Sequence, residues 1–236
     1  FCLDHVGFGA NPRRRDLGFH NIFDRYRGFL GDRGCDGDGV HFHHHPLSIS
    51  RSAHHSASHF FANGAIIYEI LARRILDRGW FPCVFRPGFH AERPDSHWFL
   101  EQFIPFDFGN QGQPADGSAQ SDQTNGRFGD WRRSPRTWTP YHPHPDDYQK
   151  EGACRRWIAR CLNVGTRHTL LSQSDVDQAF KEASEGKPAI MAFTNHDHRD
   201  IRPAVSAVGK MLATASGKFP AVRFRFSEAR EIGRAH

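Results

Sequence analysis

No stretch of the 236-residue sequence comes near the run of about eighteen consecutive apolar residues that a helix needs to cross a bilayer, so no membrane span is expected. Nor is there a C-x-x-C pair. The five cysteines, Cys2, Cys35, Cys83, Cys154 and Cys161, are odd in number, which argues against both a disulfide framework and a cysteine zinc site. Reduced thiols in the cytoplasm fit that usage. The net charge of +5 comes from scattered arginines, with local groups at Arg13, Arg14 and Arg15 and at Arg132, Arg133 and Arg136, and neither group gathers on one element with stacking aromatics. A nucleic-acid partner is therefore not expected. The second group suggests, as an alternative, a phosphate on a nucleotide- or lipid-linked sugar. The chain opens at Phe1 without an initiator methionine, a basic n-region or an apolar h-region, so a processed or partial chain is expected. No internal repeat is visible.

What is present suffices for a packed interior, since hydrophobic residues make up 38% of the chain and aromatics 13%. The length suits one domain over residues 1–236. Strand and helix signals alternate along it. An apolar start over 1–6 precedes a helical stretch over 17–30, then an extended run over 40–45. Ile66, Ile67, Ile70, Leu71, Ile75 and Leu76 recur at helical spacing up to Gly79. Residues 80–85 suggest a strand, Asp95 or Ser96 the N-cap of a short helix, and 104–108 a further apolar strand. Residues 109–150 are rich in Gly, Pro, Asp, Gln and Ser and suggest a long loop with one strand near Trp138. A strand over 157–164, a helix over 176–184 opened by a Ser174–Asp177 capping box, a buried strand over 187–194, a helix over 205–215 and a final strand over 221–226 complete the pattern. Alternating β and α elements imply a parallel sheet, open or closed into a barrel, with functional groups at the carboxyl ends of its strands.

Four stretches carry chemistry-bearing residues. In His41-Phe42-His43-His44-His45-Pro46 the odd-numbered histidines share one face of an extended strand, where imidazoles can converge on a metal; the alternative is an exposed histidine-rich loop. In Thr194-Asn195-His196-Asp197-His198, directly after a candidate strand, His196 is placed to act as a general acid or base, or merely caps the strand. Arg86-Pro87-Gly88-Phe89-His90, followed by Glu92 and His97, offers a guanidinium to orient a carboxylate and an aromatic to stack on a sugar ring; an ordinary turn held by Arg–Asp pairing explains the same charges. Asp130-Trp131 places a carboxylate and an indole near the end of the long loop, where a structural turn is the competing explanation.

These stretches, in this order, resemble the motifs of the polysaccharide deacetylase (NodB-like) superfamily, with 86–108 similar to a subgroup of uncharacterised deacetylase-like proteins. His41-x-x-x-His45-Pro46 resembles that family's metal motif, Arg86-Pro87 its arginine motif, Asp130-Trp131 its Asp and Trp pair, and His196-Asp197 its late histidine motif. The resemblance implies a distorted (β/α) barrel and a divalent metal, zinc by preference, held by His41 and His45 with a carboxylate. It implies His196, Arg86 and Asp130 in catalysis, and Trp131 and Phe89 against an N-acetylated sugar or polysaccharide precursor. The family's opening Asp-bearing strand, which supplies a metal ligand and the general base, has no counterpart except Leu3-Asp4-His5, so the first strand is expected upstream of Phe1.

The activity so implied is hydrolysis of the acetamide: metal-activated water attacks the carbonyl, an aspartate takes its proton, and His196 protonates the departing amine. Two other classes stay open: an inactive carbohydrate-binding relative, and a histidine-rich protein that binds several ions.

Overall fold

A computed structural model describes residues 2–3, 19–35, 37–43, 64–92, 94–112, 130–165, 170–196 and 199–234. Among them β1 (Cys2–Leu3), β2 (His41–Phe42), β3 (Val84–Phe85), β4 (Phe106–Asn110), β7 (Trp157–Asn163) and β8 (Ala192–Thr194) form one sheet in the order β1-β2-β3-β4-β7-β8. Every neighbouring pair is parallel. Helix α1 (Phe19–Asp32) links β1 to β2, α2 (Gly64–Arg78) links β2 to β3, α3 (Pro94–Phe103) links β3 to β4, and α4 (Gln173–Ser184) links β7 to β8. The antiparallel pair β5 (Pro143–His144) and β6 (Asp147–Glu151) lies between β4 and β7, and α5 (Arg202–Lys218) and α6 (Ala229–Arg234) follow β8.

The strand order follows the chain and never reverses. A doubly wound sheet reverses at a switch point, whereas a sheet that winds one way curls toward a barrel. The result is a mixed α/β fold whose curled parallel sheet is half of a barrel. Alternation of side chains along the strands separates its two faces. Phe42 and Phe85 point outward and pack with Leu71 of α2 and Phe99 and Leu100 of α3. Val84, Phe108, Ala159 and Cys161 point inward, where Ile190, Ala192 and Ala229 meet them.

α1 and α2 meet around Phe23, whose ring stands edge-on to Trp80 at 5.0 Å and lies 4.3 Å from the Arg74 guanidinium. Gly79, at φ +56°, ends α2 as the sequence suggests, its N–H returning to Ile75 O at 2.9 Å. α4 is opened two residues earlier than expected. Ser172 and Asp175 form the capping box, because Asp177 is taken by Gln173 Nε2 and by Lys218 Nζ.

Three further expectations are corrected. Trp138 is on no strand. It is fully buried, donates Nε1–H to Asp175 O at 2.8 Å and stacks under Arg160, so tertiary packing rather than a ladder orders its segment. The strand over 187–194 shortens to β8, whose Phe193 is 39% exposed: it is the last strand in the sheet order and only partly covered. Residues 221–226 form no strand; the segment crosses the half-barrel cavity without joining the sheet, and Phe224 and Phe226 stay 49% and 76% exposed. No helix among the described residues is long and apolar enough to cross a membrane.

Candidate functional site

The inward-pointing residues enclose a cavity of about 560 Å³, within the roughly 300–1,000 Å³ usual for small-molecule sites. His41, Val84, Arg86, Phe108 and Cys161 supply its sheet wall, and residues 222–227 lie across it. Because Phe42 faces the helices, strand alternation turns His41 to the interior, on the same side as Val84 and Arg86.

At the carboxyl end of β3, Arg86 donates to Pro87 O at 3.0 Å and to His90 Nε2. His90 Nδ1–H then donates to Gly109 O at 3.1 Å, which fixes the tautomer, while the Asn163 amide stands 3.4 Å from Nε2. Burial, and after it the neighbouring Arg86 charge, push the His90 imidazole well below its ordinary value, so it is a neutral acceptor. Its backbone is at φ +49°, a region that non-glycine residues avoid. The 3₁₀ turn Gly88–His90 and Trp131 Nε1, which donates to His90 O at 2.8 Å, hold it there. Gly109 must lack a side chain: a Cβ would lie 2.8 Å from Asp107 Oδ1 and 3.0 Å from both Pro87 and Trp131. Strained, buried polar residues at strand ends are where function concentrates. His43 Nδ1 donates to Arg86 O at 2.6 Å and ties β2 to this cluster.

On the neighbouring strand β2, His41 Nε2 lies 2.5 Å from Glu228 Oε1, both side chains being almost fully buried. Burial lowers the His41 imidazole to about 4, against the opposing pull of Glu228, so the ring is neutral beside the carboxylate.

Comparison with protein-family models, curated proteins and solved structures finds no match.

The residues singled out in the sequence are thus distributed as follows. His41 and Arg86 line one cavity. His196 stands exposed just past the carboxyl end of β8, its N–H bonded to Asn195 Oδ1 at 2.8 Å. Asp130 accepts Arg132 Nε at 3.1 Å and Nη2 at 3.0 Å, and its carbonyl receives the Tyr148 hydroxyl. Trp131 is fully buried under Tyr148, and its indole N–H is bonded to His90 O. Phe89 lies in the 3₁₀ turn. His45, Asp4, Asp197 and His198 lie outside the described residues. Among the described residues no group of three or more His, Cys, Asp or Glu side chains converges as a metal site would require. Arg133, one of the arginines considered for phosphate, pairs with Asp147 at 2.7 Å.

Sequence reasoning passed over His90, Asn163 and Glu228 as site residues. His90 sits in the arginine stretch and was within reach; the roles of the other two depend on pairings across 73 positions and across the whole chain.

Proposed function

We propose that the chain is a metal-dependent hydrolase that removes acetyl groups from amide nitrogens of a carbohydrate, built on an incomplete barrel of the polysaccharide deacetylase type. The observation that carries this reading is the cavity that runs from His41 to Arg86, the positions of the metal histidine and of the arginine in the resemblance. Among the described residues, His41 and its surroundings suit one ligand position of a divalent metal. His41 offers a buried neutral imidazole, and Gly39 leaves open a space that a Cβ would fill 2.7 Å from His41 Nε2. His41 and His45 would hold the ion, zinc by the preference of imidazole, and it would supply Lewis acidity toward the acetamide oxygen and toward water.

The remaining roles belong to side chains of this chain. Arg86, braced by His90, presents its guanidinium to the cavity and orients the reacting carbonyl or a carboxylate. His196, past the end of β8, returns a proton to the amine nitrogen as the C–N bond breaks. Asp130 is the carboxylate of the 130–131 pair and sets the position of Arg132. An N-acetylated sugar is the substrate class, and a reducing cytoplasm is the setting that goes with the odd number of cysteines. The inactive sugar-binding alternative is weakened, because Trp131, its best aromatic platform, is in the core.

The test is acetate release from N-acetylated chito-oligosaccharides by the zinc-loaded protein. Release that a chelator stops and that Arg86→Ala abolishes is the expected result. A zinc-loaded protein that releases no acetate from any such substrate refutes the reading.

A further inference from the structure

We infer that Glu228 is a carboxylate ligand of a divalent cation held with His41, so that the segment after α5 completes the cation site on β2. The inference deepens the hydrolase reading and rests on it for the cation's purpose, but its geometry stands separately. Glu228 Oε2 is occupied as the cap of α6, taking the Glu231 N–H at 3.3 Å and lying 3.5 Å from Arg230 Nε. Oε1 points the other way, toward His41 Nε2 at 2.5 Å, and no hydrogen bond reaches it although the side chain is only 6% exposed. A buried carboxylate oxygen left in this way costs free energy unless a cation or a donor satisfies it.

The two groups are also given room that only glycine allows. A Cβ on Gly39 would run into the Glu228 carboxylate and lie 2.7 Å from His41 Nε2. His41 borders the cavity, through which water or substrate oxygen can reach the remaining coordination positions. One imidazole nitrogen and one carboxylate oxygen are borderline and hard donors that suit zinc and neighbouring first-row ions. The carboxylate ligand is thus contributed by the segment between α5 and α6.

The experiment titrates the full chain, stripped with chelator, with zinc chloride by calorimetry and with cobalt(II) by absorbance. The parent is expected to bind one cation, and Glu228→Gln to bind it at least about 10-fold more weakly. Glu228→Cys loaded with cobalt(II) is expected to gain a near-ultraviolet thiolate charge-transfer band over the parent, which a residue outside the coordination sphere cannot produce. Parent-like zinc affinity in Glu228→Gln, no added band in Glu228→Cys, or no cation bound by the parent overturns the assignment. Zinc bound by the parent and lost in Glu228→Gln, with no acetate released, leaves the cation site standing and removes the deacetylase reading. Acetate release with unchanged zinc binding in Glu228→Gln does the reverse.

Discussion

Arg156 and Arg86 stand beside the same parallel sheet, but Arg156 is locked between the carboxylates of Glu92 and Asp107, whereas Arg86 leans on a neutral imidazole and faces a cavity. Around Arg156 the partners are two buried carboxyl groups, of which burial pushes Glu92 well above the usual carboxylate range. Nη1 donates to Asp107 Oδ2 at 2.7 Å, Nη2 meets Glu92 and His97 Nδ1, and all the ion-paired side chains are within 1% of full burial. Glu101 adds a carboxylate that caps the Arg155 and Arg156 N–H groups at 2.7 and 3.2 Å. Such a network fixes strand β7 against α3 and β4, and neither Arg156 nor its two carboxyl partners line the 560 Å³ cavity. The Arg86 cluster has a strained histidine, a tautomer fixed by a carbonyl and a route to a cavity of about 560 Å³. Burial of charge by itself therefore does not distinguish a structural cluster from a working one; the state of the partners and access to space do.

The contrast can be broken most directly at Arg156. Arg156→Met leaves two carboxylates buried together and is expected to cost about 3–5 kcal/mol in urea denaturation. A loss below about 1 kcal/mol would mean that the network is not structural. Arg86→Met should cost less than about 1.5 kcal/mol in the same assay, since the two partners described for it, Pro87 O and His90, are neutral, while lowering kcat/KM for acetate release by about 100-fold or more. Equal destabilisation by the two substitutions would erase the distinction.

Acid sharpens it further. His90 in the folded chain is held well below the 6.5 of an ordinary histidine, chiefly by burial and then by Arg86. As pH falls, the unfolded chain takes up this proton first, so the His90 contribution is intact above about 6.5 and is lost progressively below it. The thermal midpoint should drop between about pH 7 and pH 5, and the drop should be shallower in His90→Gln. Equal slopes in the two proteins would assign the acid sensitivity elsewhere. The smallest effect is expected from Trp131→Phe, which keeps the ring and removes the bond to His90 O, for about 1 kcal/mol by denaturation. A Trp131→Phe loss matching that of Arg156→Met would place the indole among the principal supports instead.

Sequence pattern gave access to the elements that rest on local physics. The apolar spacing up to Gly79 locates α2, and alternation over 157–164 locates β7, because each side chain's face follows from the backbone period. The same alternation misled at 221–226, where the segment crosses the cavity and makes no hydrogen-bonded ladder. The capping box moved by two residues because Ser and Asp recur at equal spacing in Ser172–Asp175 and Ser174–Asp177, and only tertiary partners for Asp177 decide between them. At the site, the alternation of His41 with Phe42 was legible, and so was Arg86 at a strand end. The His90 strain was not, as it needs Gly109 and Asn163 from other strands, and neither was Glu228, which meets His41 from the far end of the chain.

Because the sheet strands follow one another in chain order, a cut between β4 and β5 would leave two pieces whose sheet strands are each contiguous, β1 to β4 in one and β7 and β8 in the other. Both arginine clusters straddle that seam. Arg156 of the second piece meets Glu92 and Asp107 of the first, and Asn163 of the second approaches His90 of the first. The protein is in this sense a dimer written on one chain, and its buried charges are the code by which separated halves would recognise each other.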